Sequence, residues 1–391
     1  MPAVDAERAY ARRVRGLGTT IFAEMSDLAR RTGAVNLGQG FPDTDGPPEV
    51  VEAAVTALRT GRNQYAPGPG VPELRAAIAE HQRRCYGIEL DPMSEVVVTT
   101  GATEAVAAAL LGLVDPGDEV VVLEPYYDSY VAGIQMVDGV RRPVTLRAPD
   151  FRLDVDALRS AVTPRTRLVL LNSPHNPTGT VLTRDELAAV AQVAVEYELV
   201  VVTDEVYEHL TYDGVEHVPI ATLPGMAERT VTISSAGKTF SFTGWKVGWA
   251  TGPAHLLGAV AAAKQYLTFT SGAPLQPAVA LALGLPDRVL VDLRVDLQRR
   301  RDLLCDGLSA LGLKVYVPAG TYFATTDIGS LGYADGIAFC LDLPTRAGVV
   351  AIPQQAFHDD ADAGRMLVRW AFCKRDDVLN EGLDRLARAF G

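Results

Sequence analysis

Between residues 95 and 252 the chain alternates two textures. Short β-branched runs, "EVVVTT", "EVVVLEP", "RLVLLNSP", "LVVVTDE", "RTVTISS" and "VGWATG", are apolar throughout instead of alternating apolar with polar. Continuous apolarity predicts parallel strands, because both faces of such a strand are covered by helices. Between the runs lie alanine- and leucine-rich stretches of helical length, such as "TEAVAAALLGLV" and "TRDELAAVAQVAVEYE". The second opens on Thr183 with Glu186 three residues on, the spacing of a capping box. The unit this predicts is α/β: a large, mostly parallel sheet sandwiched by helices.

After about residue 285 the pattern changes. "RVLVDLRVDLQRRRDLLCDGL" predicts a charged helix, "KVYVPAGTYFATT" alternating strands, and the chain runs out in an amphipathic helix. The expected division is an N-terminal arm over 1–45 that shares in a small domain, a large domain over 46–285 and a small α+β domain over 286–391. The loop-rich segment "VNLGQGFPDTDGPP" links the first two.

Composition narrows the class. Hydrophobic residues make up 48% and charged residues 21%, the profile of an ordinary globular enzyme. A formal charge of −12 argues against non-specific binding to nucleic acid or anionic membranes. The apolar run "VAAALLGLV" is half the ~18 residues of a membrane span, and "MPAVDAERAYARRVRGLG" lacks the apolar core of a secretory signal. The four cysteines, Cys85, Cys305, Cys340 and Cys373, show no CxxC spacing. The expectation is a soluble cytoplasmic protein with reduced thiols and no metal site.

In an α/β sheet, ligands sit at the carboxyl ends of the strands. Here those ends read Thr99-Thr100-Gly101, Glu124-Pro125, Asn172-Ser173-Pro174, Asp204-Glu205 and Ser234-Ser235. "GKT" at 237–239 is not a Walker loop, because position 232 is Thr where that motif needs glycine. "GQG" at 38–40 lacks the third glycine of a dinucleotide fingerprint.

A different constellation fits better. Gly101-Ala102-Thr103 ends a strand and opens a helix, leaving backbone N–H groups and a hydroxyl at the positive end of the helix dipole. This is either an anion site or a plain turn capped by Thr103; Ser235 and Lys246 would add donors to the former. Asp204 puts a carboxylate on the crevice floor, which is costly unless it meets a cation or strong donors. It either caps the next helix or holds a protonated ring nitrogen. Tyr207 and Asn176 can present a phenol and an amide to the same crevice.

The chain has only five lysines, and two of them, Lys238 and Lys246, lie in "SSAGKTFSFTGWKVGWATG". An amine in a partly desolvated pocket has a lowered pKa and can attack a carbonyl to form a Schiff base. Anion site, ring-nitrogen partner and amine together describe a pocket for pyridoxal 5′-phosphate.

The segments "NLGQGFPD", "NQY", "GATEA", "EPYYDSY", "NSPHNPTG", "TDEVYE", "SSAGKTFSFTGWKVGW" and "VRWAFCK" run in order over nearly the whole chain. Together the set resembles class I/II aminotransferases of pyridoxal-phosphate fold type I. It is most similar to the branch of kynurenine, glutamine and methionine transaminases, and also to actinobacterial N-succinyldiaminopimelate aminotransferases. The resemblance implies that Lys238 forms the Schiff base, that Asp204 pairs with the ring nitrogen, and that Asn176 and Tyr207 contact the phenolic oxygen. Tyr127 would stack on the ring, and Gly101, Ala102, Thr103, Ser235 and Lys246 would hold the phosphate. Arg369, with the backbone at Gly38, would bind the substrate carboxylate. Tyr65 would reach the neighbouring active site of a homodimer.

At the phosphate position eight residues after Lys238 stands Lys246, where aspartate-type enzymes carry arginine. Side-chain selection is expected around Thr19, Thr20, Ile21, Tyr130 and residues 269–274. The implied activity is amino transfer between an L-amino acid and a 2-oxo acid in two half-reactions. A carbon–sulfur β-lyase would use the same pocket.

Overall fold

The computed structural model describes residues 9–391; the secretory-signal reading of residues 1–8 therefore lies outside the described residues. In chain order the strands are β1 (Val35–Asn36), β2 (Val96–Thr99), β3 (Glu119–Glu124), β4 (Val140–Thr145), β5 (Thr166–Asn172), β6 (Val200–Asp204) and β7 (Thr230–Ser235). They continue as β8 (Gly248–Thr251), β9 (Lys314–Tyr316), β10 (Phe323–Asp327), β11 (Val349–Val350), β12 (Ile352–Pro353) and β13 (Leu367–Ala371).

Seven strands form the large sheet in the order β2-β8-β7-β6-β5-β3-β4. The pairs among β3 to β7 are parallel. Every residue of β2, β3, β6, β7 and β8 is buried, which is why these runs show no alternation. Successive side chains still go to opposite faces. Val120 and Val122 pack with the helices Gly101–Leu113 and Ala254–Leu267, while Val121 and Leu123 pack with Val155–Ala161 and Arg184–Glu196. Each such side chain contributes about 1.5–3 kcal/mol when fully buried. The helix Arg184–Glu196 begins with the capping box of Thr183 and Glu186. A further layer, Pro48–Arg59, Pro72–Tyr86 and Gln276–Leu283, covers Val96, Val98 and Trp249 at the β2 side.

Two features depart from the sequence reading. "VGWATG" was grouped with the parallel strands, but β8 runs antiparallel to both β2 and β7. The connection from β7 holds only a four-residue helix, Ala236–Thr239, and a turn at Thr243–Trp245. A parallel crossover needs an element long enough to run back along the sheet, so the chain returns at once. That tight return keeps Lys238 and Lys246 at one end of the sheet. The second feature is β4, "VRRPVT", which carries no apolar run because it is a largely exposed edge strand.

The second sheet is β12-β13-β10-β9, antiparallel throughout. Beside it, β1 pairs in parallel with β11. Met25 and Ala29 of the helix Ile21–Thr32, and Leu37 after β1, join the core formed by β10, β13 and the helices Arg288–Ala310, Gly336–Arg346 and Asp376–Phe390. Both ends of the chain therefore build one layer, which faces the carboxyl ends of the large sheet. No helix among the described residues is long and apolar enough to cross a membrane.

Candidate active site

The carboxyl ends of β2, β6 and β7 open on a cavity of 770 Å³. Every residue that sequence reasoning placed at the cofactor or substrate lines this cavity, except Tyr65, Gly38 and residues 269–274.

One end is built for an anion. Gly101 has φ +75° and starts the helix Gly101–Leu113, whose first N–H groups have no acceptor inside the helix. Thr100, before it, makes no side-chain cap. The positive φ is what requires glycine at 101; a Cβ there would also lie 2.9 Å from Lys246 Nζ and push the ammonium aside. Ser235, at the end of β7, and Thr103 line the same end.

Lys238 occupies the middle. Its Nζ donates to the Tyr322 hydroxyl at 2.6 Å and lies 3.5 Å from the Gly40 carbonyl; the Tyr322 hydroxyl donates in turn to that carbonyl at 2.6 Å. Burial pushes the Lys238 amine down to about 8, against the opposing pull of Cys373 and Asp204.

The floor is Asp204, the last residue of β6. Tyr130 donates its hydroxyl to Oδ2 at 2.7 Å, and the backbone N–H of Val206 reaches Oδ1 at 3.3 Å. Burial raises the Asp204 carboxyl, and the Tyr130 hydrogen bond is the largest force holding it ionised. Asn172 ties floor to wall: its Nδ2 donates to the Asp204 carbonyl at 2.8 Å and its Oδ1 accepts from the Asn176 N–H at 2.7 Å. Tyr207 stands edge-on to Tyr322 at 5.2 Å, its hydroxyl pushed well above its ordinary range by burial.

The far wall holds Arg369, on β13. Its Nη1 donates to Asn176 Oδ1 at 2.9 Å and its Nη2 to the Gly38 carbonyl at 2.8 Å, while Nε has no partner. Neither acceptor is a carboxylate. The guanidinium lies 3.9 Å from the ring centre of Phe323 and 4.9 Å from that of Phe22. Burial brings it down to about 10, so it keeps its charge at neutral pH. Among the described residues no carboxylate forms an ion pair with it; a buried cation without an anion is costly, and this one lines the cavity.

Three of the expected residues have settings of their own in the single chain. Tyr130, assigned to substrate selection, lines the cavity, but its hydroxyl is committed to Asp204. The helix Asp128–Met136 starts just after Tyr127 and turns Tyr130 inward. Gly38 touches Arg369 through its carbonyl and lies behind it, its N–H turned to Asn36 Oδ1 at 3.0 Å. Tyr65 is 83% exposed beside Phe269, outside the cavity of the single chain, as are residues 269–274. Thr19, Thr20 and Ile21 do line the mouth.

Sequence reasoning missed Tyr322, the direct partner of Lys238, and the aromatic clasp on Arg369. Tyr322 precedes β10, Phe323 opens it and Phe22 lies on the helix Ile21–Thr32, places where aromatic residues signal ordinary core.

A lysine, a carboxylate, an anion cradle and an unpaired arginine in one crevice define a site for amino-group chemistry. The chain belongs to the family described as "Aminotransferase class I and II", whose model matches residues 32–386, and it is an aminotransferase. Enzymes of this family and fold depend on pyridoxal phosphate.

Among relatives, the chain is 56% identical over 386 residues to "Probable N-succinyldiaminopimelate aminotransferase DapC" of Mycobacterium tuberculosis, covering 96% of this chain and 97% of that protein. The methionine aminotransferase of Escherichia coli is 40% identical over 370 residues, with 95% and 96% coverage. The solved structure of N-succinyldiaminopimelate aminotransferase from M. tuberculosis superposes with a TM-score of 0.95 at 56% identity, covering 97% of this chain and all of that one.

Proposed function

We propose that the cavity holds pyridoxal 5′-phosphate on Lys238 and that the enzyme moves an amino group between an L-amino acid and a 2-oxo acid in two half-reactions. The observation that carries this is the buried Lys238 amine, brought to about 8, between the carboxylate of Asp204 and the unpaired Arg369. The residues fit the group. The uncapped helix start at Gly101–Thr103, with Ser235 and Lys246, suits a phosphate, and Gly101 leaves the room a side chain would fill. When bound, the cofactor supplies an electrophilic carbon for the substrate amine and a sink for the electrons released at Cα.

The chain's own groups do the rest. Asp204, whose carboxylate accepts from Tyr130 and the Val206 N–H, would hold a proton on the ring nitrogen. Asn176 has its Oδ1 engaged by Arg369, so its Nδ2 is the face left for the phenolic oxygen, which Tyr207 shares. Tyr127 covers the ring. Arg369 clamps the α-carboxylate and fixes the direction of the Cα–H bond. Lys238, as a free amine, would take the proton from the substrate Cα and hold it on Nζ for return on the same face.

For the donor we propose N-succinyldiaminopimelate, on the strength of the 56% identity spread over the whole length of the M. tuberculosis enzyme. A second reading, an uncharged donor such as methionine, is supported by the apolar wall of Ile21, Phe22 and Phe357, in a cavity where Arg369 is the one arginine among the described residues. We also propose a homodimer completed by Tyr65, on the exposure of Tyr65 and Tyr266 (83% and 90%), with the large and small domains dividing near residues 45 and 285. The donor is tested by mixing cofactor-loaded enzyme with each candidate and following bleaching of its visible absorbance together with the oxo acid released. Bleaching by N-succinyldiaminopimelate at far lower concentration than by methionine supports the first reading, and the reverse order the second. Pyruvate release from cystathionine as the main reaction would instead make the enzyme a β-lyase.

A further inference from the structure

Outside the active site, three of the chain's six histidines gather with Cys85 behind the ends of β6 and β7. His81 and Cys85 lie four residues apart on the helix Pro72–Tyr86, hence on one face of it. His209 comes from the turn after β6. The Nε2 atoms of His81 and His209 are 2.8 Å apart with the rings nearly perpendicular, at 82°. These two nitrogens and the Cys85 sulfur all lie within 4.8 Å of one another, the only such group of three found among the described residues.

We propose that His81, Cys85 and His209 bind a zinc ion through two imidazole nitrogens and a thiolate, with water in the fourth position, and that the ion ties the helix Pro72–Tyr86 to the segment following β6.

The contacts around the cluster support a cation. Donors of a tetrahedral zinc at ~2.0–2.3 Å stand roughly 3.3–3.7 Å from each other, so the two rings need to part by less than an ångström while the sulfur closes in. The Nδ1 of His81 is buried without a partner, while its Nε2 shares one proton with His209 Nε2 in the 2.8 Å contact that the ion would replace. For both Nε2 atoms to ligate, the Nε2–H that bridges them moves to the Nδ1 of its own ring, leaving each Nε2 a lone pair for the ion. A coordinating thiol is deprotonated outright by the ion.

Behind the rings sit two buried carboxylates. Glu208 Oε2 is 4.0 Å from His209 Nε2, and its other oxygen accepts from Ser234 at 2.6 Å; Glu205 accepts from His217 at 2.8 Å and from Thr203 at 3.1 Å. Neither carboxylate is hydrogen-bonded to a lysine or arginine; Glu205 is paired with His217, and Glu208 places a negative potential near the rings that favours a divalent cation. Arg84, beside Cys85, donates to the Leu283 carbonyl at 3.0 Å. Cys85 and His209 are only partly buried, which gives the ion a way in. The sequence hides the site: its donors lie at 81, 85 and 209, and no CxxC marks them.

The test uses tag-free, cofactor-loaded enzyme stripped of metal by chelation and titrated with zinc chloride against a chromophoric chelator, then with cobalt chloride. One zinc per chain is expected, and the cobalt form should show a thiolate charge-transfer band with the intense visible bands of four-coordinate ligation. Cys85→Ser should abolish the charge-transfer band, and His209→Ala should weaken zinc binding at least about tenfold. In the unmutated protein zinc should also shield Cys85 from alkylation, read by mass spectrometry, which does not depend on either variant folding. Failure to bind one equivalent, a cobalt spectrum without the charge-transfer band, or alkylation of Cys85 at the same rate with and without zinc would each overturn the assignment.

Discussion

Removing the cofactor turns Lys238 into a titration probe of its own surroundings. In water a lysine amine loses its proton near 10.5; at position 238 burial lowers this to about 8. The sign follows from desolvation, which penalises the ammonium form and leaves the neutral amine untouched. At pH 7 about one Lys238 in ten is then neutral, against roughly one in three thousand for an exposed lysine, a preference of about 3 kcal/mol. Covalent capture of an aldehyde needs the neutral amine, so the structure predicts how capture depends on pH. Cofactor-free enzyme should be mixed with sub-saturating pyridoxal phosphate from pH 6 to 10 and followed by its visible absorbance. The second-order rate constant should climb about tenfold per pH unit to near pH 8 and then level off. A rate still climbing tenfold per unit at pH 9 would show an ordinary solvated lysine, and the argument from burial would fail.

Two further outcomes follow from the site. Arg369→Lys replaces a planar donor pair, held by Gly38 and Asn176, with a point charge; kcat/KM should fall about 10²–10³-fold for amino acid and oxo acid alike, with the visible spectrum of the loaded enzyme unchanged. An unchanged kcat/KM would remove Arg369 from the substrate. Tyr65→Ala deletes a ring that stands 83% exposed in the single chain, so its folding stability should shift by less than about 0.5 kcal/mol. Light scattering should nevertheless show a dimer, and the variant should lose cofactor faster on dialysis; a monomer with normal retention would refute the shared site.

How much of this was legible beforehand differs from residue to residue. Lys238 could be read because lysine is scarce in this chain and this one sits among glycine, serine and tryptophan. Asp204 could be read because a carboxylate directly after "LVVVT" ends an apolar strand in a place that must be wet or functional. Tyr130 lies three residues from Tyr127 and looked equally available to substrate; only the register of its helix sends the hydroxyl to Asp204 instead. Tyr322 gave no signal at all, since an aromatic residue beside an alternating strand is ordinary core.

By itself, then, the order of residues determined the local matters: buried parallel strands from unbroken apolar runs, the helix cap at Thr183, and the glycine, carboxylate and amine at the strand ends. These depend on neighbours along the chain, and propensity and patterning carry that information. Tertiary structure decided the direction of β8, the hydroxyl beside Lys238, the anion-free pocket of Arg369 and the meeting of His81 with His209. Each joins segments far apart in sequence, and such contacts arise only when packing of the two sheets sets the distances between them.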